Sequence, residues 1–158
     1  MENDLQRMTD EAAIRRLTAY YSDAVTHLDA ARGASVYAID GRVKILDLET
    51  EGREAIEAGM RQSFATFRFL QMIEHGGIIQ LNGDRAVARW STIELGIRHT
   101  SDQLNVIFGR YEDSLVRLEE GWRFQRRVFA LAGRTLLETA KIKADPQFYT
   151  NLLSLGRP

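Results

Sequence analysis

Residues 84–96 read DRAVARWSTIELG, and the way their side chains alternate decides the fold. Period-two alternation puts Ala86, Ala88, Trp90, Thr92 and Glu94 on one face of a strand, and Val87, Arg89, Ser91, Ile93 and Leu95 on the other. Small residues followed by an indole and then an acid are suited to line a hollow. The first face is therefore expected to be a pocket wall, and the second to pack or to be partly wetted.

Working outward, Asn82-Gly83-Asp84 is a hairpin turn into this strand. The segment before it, Phe69 to Leu81, is extended and interrupted by His75-Gly76-Gly77, where a bulge is expected. After it, Arg98 to Asp102 reads as a loop and Leu104 to Leu118 as a long strand. Glu119-Glu120-Gly121 turns the chain, and Trp122 to Leu131 returns antiparallel.

Upstream, Ala13, Ile14, Leu17, Tyr21, Ala24, Val25 and Leu28 recur at helical spacing, which predicts a helix from Thr9 to about Leu28 with Thr9 or Asp10 as its cap. A shorter helix, about Ala31 to Ile39, precedes a turn at Asp40-Gly41 and the strand RVKILDLE, on which Val43, Ile45 and Asp47 share a face. A second long helix, Gly52 to Phe67, carries the stripe Ile56, Met60, Phe64 and Phe67. The tail, Ala132 to Pro158 with the breaker Pro146, is expected to form a short helix or two over a pocket mouth or a neighbouring subunit. Helices segregated from a mostly antiparallel sheet define an α+β chain, expected to be one domain over 1–158.

The 158 residues suffice to bury roughly two thirds of the unfolded surface. With 21 basic and 22 acidic side chains the protein has no long-range pull on nucleic acid or an anionic membrane, so neither partner is expected. It has no cysteine, which excludes disulfides, thiolate nucleophiles and Cys-bound zinc. MENDLQRMTDEAA lacks the basic flank and apolar run of a signal peptide, no 18-residue apolar stretch occurs, and a cytoplasmic location is expected. Gly-rich phosphate loops, HExxH, GxSxG and EF-hand spacings are missing, and three scattered histidines lack metal-ligand spacing; neither a metal nor another cofactor is expected.

DEAAIRRLTAYYSDAVTHLD, GREAIEAGM, LNGDRAVARWSTIELG and GRYEDSLVRLEEGWRFQRR together resemble the SnoaL-like branch of the nuclear transport factor 2 superfamily, over about residues 9 to 131. That resemblance implies a cone, a strongly bent sheet wrapped around the first helix with a deep apolar pocket between them (a cystatin-like fold). It also implies association as homodimers or homotrimers. Relatives of this kind include scytalone dehydratase, ketosteroid isomerase and bile-acid 7α-dehydratase, alongside non-catalytic members, so fold alone does not assign function.

By the same resemblance Tyr21 takes the place of a tyrosine that donates to substrate oxygen. A phenol in an apolar hollow can stabilise an enolate or alkoxide; the alternative is a core tyrosine satisfied by a neighbour. The Asp–His pair of the dehydratases falls on Thr26 and on Met72 or Ile73, so the usual dyad is expected to be absent. His75 is open between recruitment as proton carrier through the bulge and a structural role, while His27 reads as solvated. Glu94 and Asp47 are the candidate pocket carboxylates, since an acid drawn into an apolar pocket gains basicity suited to C–H abstraction. Trp90, Tyr111, Asn105, Met72, Phe64 and Thr26 are expected to line the ligand site, with Phe67 and Phe124 as further apolar lining. Asp23, Arg110, Glu112, Arg126 and Arg127 are expected outside the sheet or at a subunit contact. The leading expectation is a cofactor-free lyase or isomerase acting on a hydrophobic oxygenated molecule such as a steroid or polyketide. The rival is a non-catalytic ligand-binding or structural cone, or a small accessory subunit of another enzyme.

Overall fold

The computed structural model describes residues 2–138, in the order α1 (Glu2–Thr26), α2 (Ala30–Ser35), β1 (Tyr37–Ile45), β2 (Leu48–Glu51), α3 (Arg53–Phe64), β3 (Phe67–Asn82), β4 (Arg85–Arg98), β5 (Gln103–Leu118) and β6 (Gly121–Glu138). The strands form one curved, unclosed six-stranded sheet in the order β2-β1-β6-β5-β4-β3, antiparallel except where β1 runs parallel to β6. Its inner face receives α1, which packs on β3 and β6. Ile14, Tyr21, Ala24 and Val25 of that helix are buried there with Leu70, Trp90, Tyr111 and Phe124 of the sheet.

Helix α1 starts earlier than the apolar stripe predicts. Residues 4–9 face water, with Leu5 and Met8 exposed, so no core-facing period marks them. Asp10, read as a cap, is instead buried mid-helix, accepting hydrogen bonds from Trp122 Nε1 (3.0 Å) and Arg117 Nη2 (2.6 Å). Helix α1 ends at Thr26, a turn through the left-handed Leu28 (φ 56°) follows, and Asp29 then caps α2 by accepting from the Arg32 amide at 3.0 Å.

Several boundaries are corrected. Helix α2 stops at Ser35 because Tyr37, which has no exposed surface, pairs with Phe124 on β6. Asp40-Gly41 lies within β1, at a register irregularity between Tyr37 and Arg42. The run RVKILDLE is broken by a turn at Leu46-Asp47, and its halves belong to the β1–β2 hairpin. Helix α3 ends at Phe64, and Phe67 opens β3. Strand β6 continues to Glu138, paired with β5 as far as Gln103, where a helical tail was expected. Residues 139–158, including Pro146, lie outside the described residues.

The hairpin at Gly83 and the bulge between His75 and Ile78 fall where the sequence puts them. On β4 the exposure alternates as read: Ala86, Ala88, Trp90 and Thr92 are buried on the inner face, with Glu94 half-buried beyond them.

Candidate functional site: a pocket backed by a buried ion cluster

Between α1 and β3 opens a pocket of about 430 Å³. Arg15, Thr18 and Ser22 form its helical wall, Met72 and Glu74 its strand wall, and Trp90 its floor, with His75 exposed at the rim. The helical wall follows from spacing, since Arg15, Thr18 and Ser22 lie three and four residues apart on one face. The bulge shapes the far end. Gly76 and Gly77 both have φ near 81°, and their carbonyls accept from Arg15 Nη1 and Nη2 at 3.1 and 3.2 Å. A Cβ on Gly77 would fall 2.1 Å from the Trp90 ring, so only glycine lets the strand pass the indole there.

Glu74 is the ionisable group on this wall. Its Oε2 accepts from Ser22 Oγ at 2.7 Å and its Oε1 from Arg127 Nη2 at 2.8 Å. Arg127 has no exposed surface and is also held by Asp113, with Nε to Oδ1 at 2.9 Å and the same Nη2 to Oδ2 at 3.2 Å. Asp113 Oδ2 also accepts from Trp90 Nε1 at 2.9 Å. A continuous chain thus runs from the indole through Asp113, Arg127 and Glu74 to Ser22, and both its ends line the pocket. Tyr111, Phe124 and Tyr21 enclose the guanidinium with ring centroids 4.0, 4.3 and 4.4 Å away.

Two carboxylates and one guanidinium leave this buried cluster with a net charge of −1 when all are ionised. Burial raises the Glu74 pKa, against the pull of Arg127 and of the Ser22 hydrogen bond, and Asp113 raises it further. Asp113 is likewise raised by burial and drawn back by Arg127. Burial works against the Arg127 cation, yet Asp113 and Glu74 outweigh it and hold the guanidinium protonated. A carboxylate of raised basicity on a pocket wall, oriented by two donors and keeping lone pairs unused, is equipped to take a proton.

The sequence-predicted residues are distributed unevenly around this arrangement. Met72, Trp90 and His75 line or rim the pocket. Tyr21 and Tyr111 are buried behind it, ring edge to ring face 6.2 Å apart and packed on Arg127. Burial raises the Tyr21 phenol and lifts that of Tyr111 well above its ordinary value, so both stay neutral. Thr26 reaches β3 by accepting from the Met72 amide at 3.0 Å. The two positions of the expected Asp–His pair therefore do meet, but through the Thr26 hydroxyl and the Met72 backbone amide, and neither side chain is an acid or an imidazole.

Five readings are corrected. Asp47 lies exposed on the β1–β2 turn, because the hairpin breaks the face it was thought to share with Val43 and Ile45. Glu94 does not line the pocket, although it pairs with Met72, which does, and its carboxyl is raised by burial and lowered by Arg98. Asn105 stands farther along the sheet and accepts from Arg134 Nε at 2.5 Å, and Phe64 is buried at the end of α3 away from the pocket. Arg127, expected outside, is the centre of the ion cluster. Leu115 pairs with Phe124 and Ser114 with Arg126, so Gln125 is an extra residue that moves Arg127 onto the inner face.

Glu74, Asp113, Ser22, Thr18 and Arg15 escaped the reading of the sequence. Glu74 shares the parity of Leu70 and Met72 on β3, and Asp113 that of Tyr111 on β5; period two carried that much. Nothing local marked their convergence on Arg127. Among the described residues no group of three or more His, Asp and Glu side chains is placed to hold a metal ion, and no helix is long and apolar enough to cross a membrane.

A SnoaL-like domain model matches residues 6–128. Solved structures with the same fold include a scytalone dehydratase-like protein from Novosphingobium aromaticivorans, 19% identical, with a TM-score of 0.77 over 82% of this chain and 88% of that one. A hexachlorocyclohexane dehydrochlorinase from Novosphingobium barchaimii is 19% identical, with a TM-score of 0.80 over 90% and 99% of the two chains. A nuclear transport factor 2-like protein of cystatin-like fold, also from N. aromaticivorans, is 21% identical, with a TM-score of 0.72 over 90% and 95%. No curated protein matches the sequence significantly. With more than half of its residues inside that family model, alongside these shared folds, the chain belongs to the SnoaL-like domain family.

Proposed function

We propose that the protein is a dehydratase-type lyase or isomerase in which Glu74 removes a proton from carbon next to a carbonyl of a hydrophobic, oxygenated small molecule. The observation that supports this reading most directly is the Glu74 carboxylate on the pocket wall, made more basic by burial and fixed by Ser22 and Arg127. As Glu74 takes the proton, electrons move into an enolate. In a dehydration they then expel the β-hydroxyl, which gains a proton and leaves as water, and Glu74 returns its own proton to solvent. His75 at the rim serves the leaving oxygen. The indole of Trp90 and the Met72 side chain give the ring an apolar seat, and the Arg127 cation behind Glu74 keeps the carboxylate ionised against its desolvation. Activity of this type needs no bound cofactor, and a cytoplasmic homodimer or homotrimer is the setting we assign to it. The dehydratase-like and dehydrochlorinase relatives of the same fold are in keeping with such elimination chemistry.

The second reading is a binding protein without catalysis, favoured by the Thr26–Met72 pairing at the dyad positions. Exchange of α-protons for deuterium in cyclic ketones, followed by proton NMR in D2O, separates the two. Enzymatic exchange that Glu74→Gln abolishes supports the lyase or isomerase; ligand binding with no exchange above the buffer rate supports the binding protein.

A further inference from the structure

The face of α1 turned to β3 carries four polar side chains on one stripe, Arg15, Thr18 and Ser22 on the pocket wall and Thr26 beyond it, and strand β3 answers three of them. Arg15 donates to the Gly76 and Gly77 carbonyls, Ser22 to Glu74, and Thr26 accepts from the Met72 amide. Thr18 alone has no answer. It is 3% exposed and lines the cavity, and its Oγ1 lacks any hydrogen-bond partner, even the helix carbonyl one turn back that threonines commonly use. A buried hydroxyl left unpaired costs about 1–3 kcal/mol, so a ligand that meets it recovers that loss.

We propose that Thr18 is the donor that seats the substrate's carbonyl oxygen, and that the pocket selects a neutral ring ketone over a carboxylate. The charge pattern argues for neutrality. Behind Glu74, two carboxylates share one guanidinium, and the Arg15 cation on the facing wall only balances that net negative cluster while its Nη1 and Nη2 are committed to the bulge carbonyls, so the pocket offers an anion no net attraction. The spacing argues for the ketone. Thr18 lies one helical turn from Ser22, about 6 Å, and Ser22 touches Glu74. That separation accommodates a carbonyl oxygen hydrogen-bonded to Thr18 with the hydrogen of its adjacent carbon directed at Glu74.

This inference rests on the reading of the cavity as a substrate site, and the test keeps the two apart. The probes are 1-tetralone, its parent hydrocarbon tetralin, and tetralin-1-carboxylate. Binding is read from the indole Nε1–H resonance of Trp90, one of only two tryptophans. The wild type is expected to bind the ketone about tenfold more tightly than either other probe. Thr18→Val, equal in shape, is expected to erase that preference to within about twofold, and Thr18→Ser to retain most of it. Two dispersed indole signals verify that each variant is folded. A preference that survives Thr18→Val, equal binding of ketone and hydrocarbon, or tighter binding of the carboxylate overturns the role of Thr18 while leaving the cavity a ligand site. Failure of all three probes to move the Trp90 resonance overturns the substrate-site reading itself.

Discussion

Arg127 Nη2 donates to Glu74 Oε1 at 2.8 Å, joining a guanidinium with no exposed surface to the carboxylate on the pocket wall. Because Arg127 is also held by Asp113, the basicity of Glu74 depends on a residue two strands away that does not line the α1–β3 pocket.

The acid limb of the reaction should report this linkage. A base must be ionised to act, so ketone exchange is expected to fall as pH drops through the Glu74 pKa, with a midpoint above the ordinary glutamate value of 4.5. Asp113 contributes to that elevation, and Asp113→Asn is expected to move the limb to lower pH. A kcat/KM profile between pH 4 and 8 for both proteins checks it; a limb that stays still, or moves up, refutes the coupling.

Stability should depend on pH with a definite sign. Glu74, Asp113 and Glu94 all have carboxyl pKa values raised by burial, so the native state keeps protons that the unfolded chain has already shed. Their contribution is most favourable below the unfolded pKa and is lost as pH rises through the native values. Arg127→Met removes the cation that opposes the rise. It is expected to cost about 3–5 kcal/mol at pH 7.5 and distinctly less at pH 5, where the stranded carboxylates can protonate. Urea denaturation at the two pH values measures the difference.

The two bulge glycines should respond differently to alanine. Both lie at φ near 81°, but a Cβ on Gly76 meets nothing within 4 Å whereas one on Gly77 meets the indole. Gly76→Ala is expected to cost about 1 kcal/mol from backbone strain alone. Gly77→Ala should cost more, about 2–4 kcal/mol, and should also shift the Trp90 indole resonance as the ring is displaced. Equal losses with an unmoved indole would contradict the packing.

Tyr21 and Glu74 offer a direct comparison between the residue that the sequence favours and the one the fold favours. Tyr21 lies in the aromatic cluster 6.1 Å from Tyr37 and from Phe124, packed on Arg127. Tyr21→Phe keeps that packing and is expected to change ketone exchange by less than about threefold, against a loss of about a hundredfold or more for Glu74→Gln. A large loss in Tyr21→Phe would put the phenol at the reacting oxygen.

The alternation in residues 84–96, the apolar stripe of α1, the Asn82-Gly83 turn and the glycine bulge were all legible in the sequence. Each depends on neighbours along one chain segment, and period and turn chemistry carry that information. The site was legible only in part: Trp90, Met72 and His75 fall at the pocket, but Glu74 and the ion cluster behind it do not announce themselves. Arg127 reads as a surface cation until the extra residue Gln125 shifts the register of β6, and Asp47 reads as a pocket acid until a left-handed Leu46 turns the strand. Such side chains become partners only when the sheet curls around α1 and brings β3, β5 and β6 together. A one-residue change of register reverses which face a side chain joins, and long-range pairing rather than local pattern fixes that register. The sequence therefore determined the elements and their apolar faces, and tertiary structure decided which charges were buried together.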